Sequence, residues 1–161
     1  MKKIMGSLIV VFLSISTFCQ TTATLSETLD WIKTKIEAYP SCGQIICYTA
    51  SVQYDLGYKD ITIAYTSNLN NKVTYRIPLK DINTSGYSYT KDYLFRIATK
   101  SPSITWIEAG ADGSRETKKV SEVFLVFDGP KFRANDLESR LIKAFNNAVI
   151  LSGGTVAKEV F

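Results

Sequence analysis

Histidine is absent from all 161 residues of this chain, and its absence excludes several classes of chemistry. Ser-His-Asp and Cys-His nucleophilic catalysis both need an imidazole as the general base. The chain also has only three cysteines, which are too few to complete a tetrahedral metal site without histidine. The sequence therefore predicts no metal site and no histidine-dependent catalytic site.

Basic runs and glycine-rich phosphate loops are missing as well. The formal net charge is only +4 and no lysine or arginine cluster accompanies it, so we expect no nucleic-acid partner. The glycines at 153 and 154 follow a predicted helix, whereas phosphate-binding glycines precede one, so we expect no nucleotide cofactor. The most apolar segment, Ile4–Leu13, is shorter than the roughly 20 residues of a transmembrane helix.

Residues 1–19 have the layout of a secretory signal peptide. Lys2 and Lys3 precede the apolar segment, and small polar residues lead from it to Cys19. Cleavage after Cys19 would release a mature chain that begins at Gln20, in the bacterial periplasm or outside the cell. The alternative is a lipoprotein that keeps Cys19 as its lipid anchor, although Phe18 departs from the small residue usual before such a cysteine.

Removal of the signal peptide changes the charge and the cysteine count. Loss of Lys2 and Lys3 lowers the basic residues from 19 to 17, against 15 acidic residues, so the net charge falls to +2. Cys42 and Cys47 remain, and an oxidising compartment would allow them to form a disulfide. The alternative is that Cys47 is a small buried residue of a strand while Cys42 stays free in the preceding loop.

Hydrophobic periodicity divides the mature chain into helix, strands and helix. Thr24 and Glu27 have the spacing of a capping box, and apolar residues then recur at helical spacing until Pro40. Asp136 is a predicted N-cap of the last helix, and Gly153 its stop. Residues 20–161 are thus predicted to be one domain with a helix at 25–39, strands within 44–127, a helix at 136–152 and a short tail at 153–161.

The predicted fold class is α+β. We expect a curled antiparallel sheet or a small barrel of about six or seven strands, covered by the N-terminal helix and the amphipathic C-terminal helix. The element order over residues 44–152 resembles that of pleckstrin-homology-like barrels, in which a C-terminal helix closes one barrel end. The segment Arg140–Phe145 before the two glycines, with the helix at 24–36, also resembles small exported bacterial proteins of uncharacterised families. Neither resemblance implies an activity.

Tyrosine is the one residue type whose enrichment suggests a site. Nine are present, and the candidates for a ligand-facing aromatic surface lie on predicted strands at Tyr48, Tyr54, Tyr65 and Tyr75. Strand propensity alone offers a simpler account of the same enrichment. The leading hypothesis is an exported, non-enzymatic domain that binds an unknown protein or small molecule.

Two further hypotheses come from other functional classes. A lipocalin-like carrier of a small apolar ligand would need a closed barrel with a cavity. A carboxylate-dependent hydrolase would need two converging acids. The acids available on or near the strands are Glu108, Glu116, Glu122 and Asp128.

Mass spectrometry of the protein recovered after export tests the reading of the N terminus. We expect an intact mass that begins at Gln20, because the small residues Thr17 and Cys19 suit signal peptidase. An acyl-modified N terminus at Cys19 would instead establish the lipoprotein.

Overall fold

A computed structural model describes residues 23–41, 46–89 and 94–157 of the chain. These residues form an α+β fold with three helices and two antiparallel sheets, which confirms the predicted class. The elements in chain order are α1 Leu25–Ala38, β1 Tyr48–Asp55, β2 Asp60–Ser67, β3 Lys72–Pro78, a 3₁₀ turn Leu79–Asp81, β4 Ser88–Tyr89, β5 Leu94–Ala98, β6 Ile104–Ala109, β7 Arg115–Val120, β8 Glu122–Val126, α2 Gly129–Ala134 and α3 Leu137–Leu151.

Helix α1 begins with the predicted capping box. The Glu27 amide donates to Thr24 Oγ1 at 3.2 Å, and the Thr24 amide donates back to the Glu27 carboxylate at 2.7 Å. The apolar stripe of the helix places Leu29, Ile32 and Ile36 in the core. This stripe fixes which face of α1 packs against the strands.

The larger sheet has five strands in the order β1-β2-β3-β6-β7. Asn70 supplies the left-handed residue of the turn between β2 and β3, with φ 62°, and Gly113 does the same between β6 and β7, with φ 85°. The segment Arg115–Val120 that follows the second turn is polar, yet it forms a full edge strand paired with β6.

Ser121 alone separates β7 from β8, yet these strands belong to different sheets. The smaller sheet has the order β4-β5-β8. Because one residue cannot form a hairpin, the chain leaves the five-stranded sheet at Ser121 and the two sheets diverge from that point.

Helix α3 ends as the glycines predicted. Gly153, at φ 86°, donates to the Ile150 carbonyl, and Gly154 donates to the Val149 carbonyl, which together make a Schellman motif. Its start differs from the expected N-cap: Asp136 adopts a left-handed conformation and does not cap the helix, and its carboxylate accepts a hydrogen bond from Ser139 instead.

An aromatic cluster lies where α3, α2 and the smaller sheet meet. The Phe95 ring stacks on Phe145 at 6.1 Å and on Tyr87 at 5.9 Å, while Phe132 packs against Phe127 at 4.7 Å. The four phenylalanines are fully buried. Aromatic rings at such separations attract one another in offset and tilted arrangements. This attraction adds to the stabilisation that comes from burying their apolar area.

The described residues do not form the closed small barrel that was one of the predicted architectures, and they contain eight strands and not six or seven. Two features keep the five-stranded sheet open. The chain continues from β7 into the other sheet, and α1 occupies the β1 edge, where the Val52 amide donates to Glu37 Oε1 at 2.7 Å. The Tyr48 amide on the same edge donates to the Ser41 carbonyl.

We expect Phe145→Ala to lower the free energy of unfolding by about 3–5 kcal/mol, because the cavity would lie under fully buried rings. Urea unfolding followed by circular dichroism measures the change. Ile150→Ala is the matched control: the side chain is on the same helix but 56% exposed, so a change within about 0.5 kcal/mol is expected. Equal losses in both variants would contradict this description of the core.

Candidate ligand-binding cleft

The divergence of the two sheets at Ser121 opens a cleft of about 250 Å³. One wall comes from the inner face of the larger sheet, and the other comes from β8. The cleft is amphipathic, because aromatic and aliphatic side chains form its walls and charged groups lie at its rim. The lining residues are Tyr75, Trp106, Lys118, Val120, Glu122, Val123 and Phe124.

A row of aromatic side chains leads into this cleft across neighbouring strands. Tyr48 meets Tyr65 edge to face at 6.4 Å, and Tyr65 meets Tyr75 in the same manner at 6.5 Å. Tyr75 is in direct cross-strand register with Trp106. Since partners in register share one face of a sheet, the row continues into the indole.

Burial controls the chemistry of the two inner tyrosines. It raises the pKa of the Tyr75 hydroxyl, the nearby Glu108 carboxylate raises it further, and a polar contact with Trp106 acts in the opposite direction. Burial also raises the pKa of Tyr65 strongly. The Val126 backbone is near the Tyr65 hydroxyl, but within the described residues this hydroxyl has no hydrogen bond of good geometry.

Charged side chains form the rim of the cleft. Lys118 Nζ lies 4.0 Å from the Trp106 ring centroid, a cation–π contact, and 3.3 Å from Glu116 Oε1. On the opposite wall the Glu122 carboxylate accepts hydrogen bonds from Arg96 Nε at 2.8 Å and Nη2 at 2.7 Å. A polar group of a ligand would therefore meet donors and acceptors at the rim while its apolar part faced the rings.

The structure brings three of the four predicted tyrosines together. Tyr48, Tyr65 and Tyr75 form the row, whereas the Tyr54 hydroxyl contacts α1, where it donates to Asp30 Oδ1 at 2.9 Å and lies 3.2 Å from Ser26 Oγ. The sequence prediction missed Trp106 as a ligand-facing candidate. The sequence shows that Trp106 lies on a strand of alternating residues, but only the register of β3 with β6 places Trp106 beside Tyr75.

Only one cysteine of the predicted pair lies within the described residues. Cys42 lies outside the described residues, and Cys47 immediately precedes β1. Their pairing stays a prediction.

The four acids of the hydrolase hypothesis have different surroundings. Glu108 and Glu116 are direct cross-strand partners, a juxtaposition that their sequence spacing did not suggest, but both are exposed. Glu116 and Glu122 form ion pairs with Lys118 and Arg96. Asp128 caps α2, where Lys131 lowers its pKa through a hydrogen bond.

Within residues 23–41, 46–89 and 94–157, none of the helices combines the length and apolar character needed to cross a bilayer. The same ranges contain no group of three or more cysteine, aspartate or glutamate side chains placed to hold a metal ion.

Comparisons with protein-family models, curated proteins and solved structures found no match for this chain. The resemblance to pleckstrin-homology-like barrels therefore stays a prediction from element order.

We expect Tyr65→Phe to leave the free energy of unfolding at pH 7 unchanged or to raise it by up to about 1 kcal/mol, because it removes a poorly partnered buried hydroxyl. Burial raises the pKa of Tyr65, so its hydroxyl stays neutral in the folded state at pH values where a tyrosine of the unfolded chain ionises. The ionisation of Tyr65 therefore leaves the free energy of unfolding unchanged below about pH 10 and lowers it as the pH rises above that value.

Urea unfolding at pH 7 and in alkaline solution measures both effects. The Tyr65→Phe variant should lose less stability in alkali than the native protein. Tyr58→Phe is the control, because Tyr58 is 77% exposed and should behave like the native protein. A destabilised Tyr65→Phe variant at pH 7 would mean that the hydroxyl has a strong partner.

Proposed function

We propose that this protein is an exported, non-enzymatic binding domain that holds its ligand in the cleft between the sheets. The pairing of half-buried Tyr75 and Trp106 inside a charged rim carries the proposal. The predicted signal peptide supports a periplasmic or extracellular location, where a disulfide between Cys42 and Cys47 would tie the loop before β1. Retention of Cys19 as a lipid anchor would place the same domain on a membrane surface.

The chemistry of the cleft favours a ring of a neutral sugar. A sugar ring presents an apolar C–H face that packs on an indole and hydroxyl groups that hydrogen-bond at its edge. Trp106 and Tyr75 supply the first surface, and Glu122 on the opposite wall supplies a hydrogen-bond acceptor for the second. The volume of the cleft is below the roughly 300–1,000 Å³ of sites for drug-sized ligands. A cleft of this size suits a single sugar ring at the end or edge of a chain.

The two alternative functions receive less support. A lipocalin-like carrier needs the interior of a closed barrel, whereas the sheets of the described residues are open and their shared interior is filled by side chains. A hydrolase needs two acids in an enclosed cleft. The pair that does meet in register, Glu108 and Glu116, lies exposed on the sheet, and Lys118 neutralises one member.

Sugar binding can be followed through the fluorescence of one tryptophan. Trp31→Phe removes the other tryptophan, which lies on α1, so the emission then reports Trp106 alone. We expect hexamers of glucose, mannose or N-acetylglucosamine to shift this emission in a saturable manner. Trp106→Ala should weaken the same binding, measured by calorimetry, about three- to tenfold, because one aromatic stacking contact is lost.

Lys118→Ala makes the test sharper. The Lys118 ammonium covers the indole face that a sugar would need, so its removal should strengthen sugar binding. Trp31→Phe is the matched control for Trp106→Ala and should leave affinity unchanged. Failure of all three hexamers to bind, or equal affinity of the Trp106→Ala variant, would refute a sugar site in this cleft.

A further inference from the structure

The outer face of the five-stranded sheet carries a second feature, unrelated to the cleft. Side chains on this face point away from the helices, and hydroxyl groups dominate it: Thr49, Ser51, Thr62, Thr66, Thr74, Thr105 and Thr117 share it by register. Within the described part of the chain no helix packs over it. A flat hydroxyl face of this kind can lie along an extended polar ligand.

Four cations also point from this face, and two of them are already engaged. Arg76 donates to the Asp60 carboxylate through Nε and Nη2, both at 2.6 Å. Lys119 Nζ donates to Thr105 Oγ1 at 2.7 Å and to the Ser103 carbonyl. These two cations are therefore part of the folded structure.

Lys72 and Arg115 differ from that pair. Within residues 23–41, 46–89 and 94–157, neither side chain has an ion pair with an acid or a hydrogen bond to another side chain. Both are in cross-strand register with Ala109, one on each side of it. Two strand spacings separate their backbones, about 10 Å, and the small Ala109 side chain leaves a depression between them.

This depression has a volume of about 370 Å³ and is lined by Lys72, Thr74, Ile107, Ala109 and Arg115. Acids of the same face, Asp55 and Asp60, lie at the far end of β1 and β2, and Arg76 neutralises the second. The acid nearest along the chain, Asp112, is in the β6–β7 turn, where its carboxylate accepts a hydrogen bond from the Ser114 amide. Asp112 keeps its negative charge, but among the described residues it forms no ion pair with Lys72 or Arg115. Two cations thus face one acid at this end of the sheet face.

We propose that this depression binds an anionic group of a linear acidic polysaccharide. Lys72 and Arg115 would bind its carboxylate or sulfate from either side, above Ala109. The adjoining hydroxyl groups of Thr74 and Thr117 would contact the sugar chain as it runs along the sheet. Charge complementarity favours an anion, and a sheet face that no described helix covers favours an extended chain over a compact ligand. The site is independent of the sugar cleft, which lies on the opposite side of the same strands.

Biolayer interferometry with the exported protein tests this proposal. The immobilised probes are polygalacturonate for carboxylates and dextran sulfate for sulfates, with neutral dextran and anionic phospholipid vesicles as comparisons. We expect salt-sensitive binding to one or both acidic polysaccharides and none to neutral dextran. The pair of acidic probes also distinguishes which anion the depression prefers.

The double variant Lys72→Gln/Arg115→Gln should weaken this binding about tenfold or more, because two charged contacts are lost. Lys33→Gln/Lys131→Gln is the matched control: it makes the same change in net charge on α1 and α2, away from this face, and should retain binding. The cleft variant Trp106→Ala should also retain it. Equal losses in both double variants, binding only to vesicles, or no binding to either acidic probe would overturn the proposal.

Discussion

The mutual contact of the Phe95, Phe145 and Tyr87 rings is the interaction on which the rest of the architecture depends. It joins the smaller sheet to α3, and Phe132 extends the same cluster to α2. Because α2, α3 and the smaller sheet converge on one side of the five-stranded sheet, no helix in the described part of the chain covers its outer face. The cleft and the outer face that we propose as binding sites thus follow from where the aromatic side chains gather.

The two proposed sites differ in the way that charge is arranged on one set of strands. Successive residues of β7 point to opposite faces, so Glu116 and Lys118 lie on the cleft side while Arg115, Thr117 and Lys119 lie on the outer side. Acids of β6 and β7 therefore remain near the cleft, and cations collect on the other face. A chain whose net charge is close to zero can in this manner present two surfaces of different electrostatic character.

Local signals in the sequence located several ends of helices but not the full set of strands or their pairing. The capping box at Thr24 and the glycine stop at Gly153 each depend on a few adjacent residues, and each occurs where it was expected. The open arrangement of two sheets depends on the path of the chain at Ser121, which no local pattern encodes. The cleft was partly predictable: strand alternation selected Tyr48, Tyr65 and Tyr75 as candidates, but only cross-strand register places them on one face and adds Trp106.

The two edges of the five-stranded sheet have different capacities for self-assembly. Open-ended growth by strand pairing requires each molecule to offer two free edges, one for the molecule before it and one for the molecule after. The β1 edge is occupied at Val52 by Glu37 and at Tyr48 by Ser41, which leaves β7 as the accessible edge of this sheet. Two molecules that pair through their β7 edges would use that edge in each and form a closed pair. The contact between one glutamate of α1 and one amide of β1 makes the β1 edge less available than β7 for extension of the sheet.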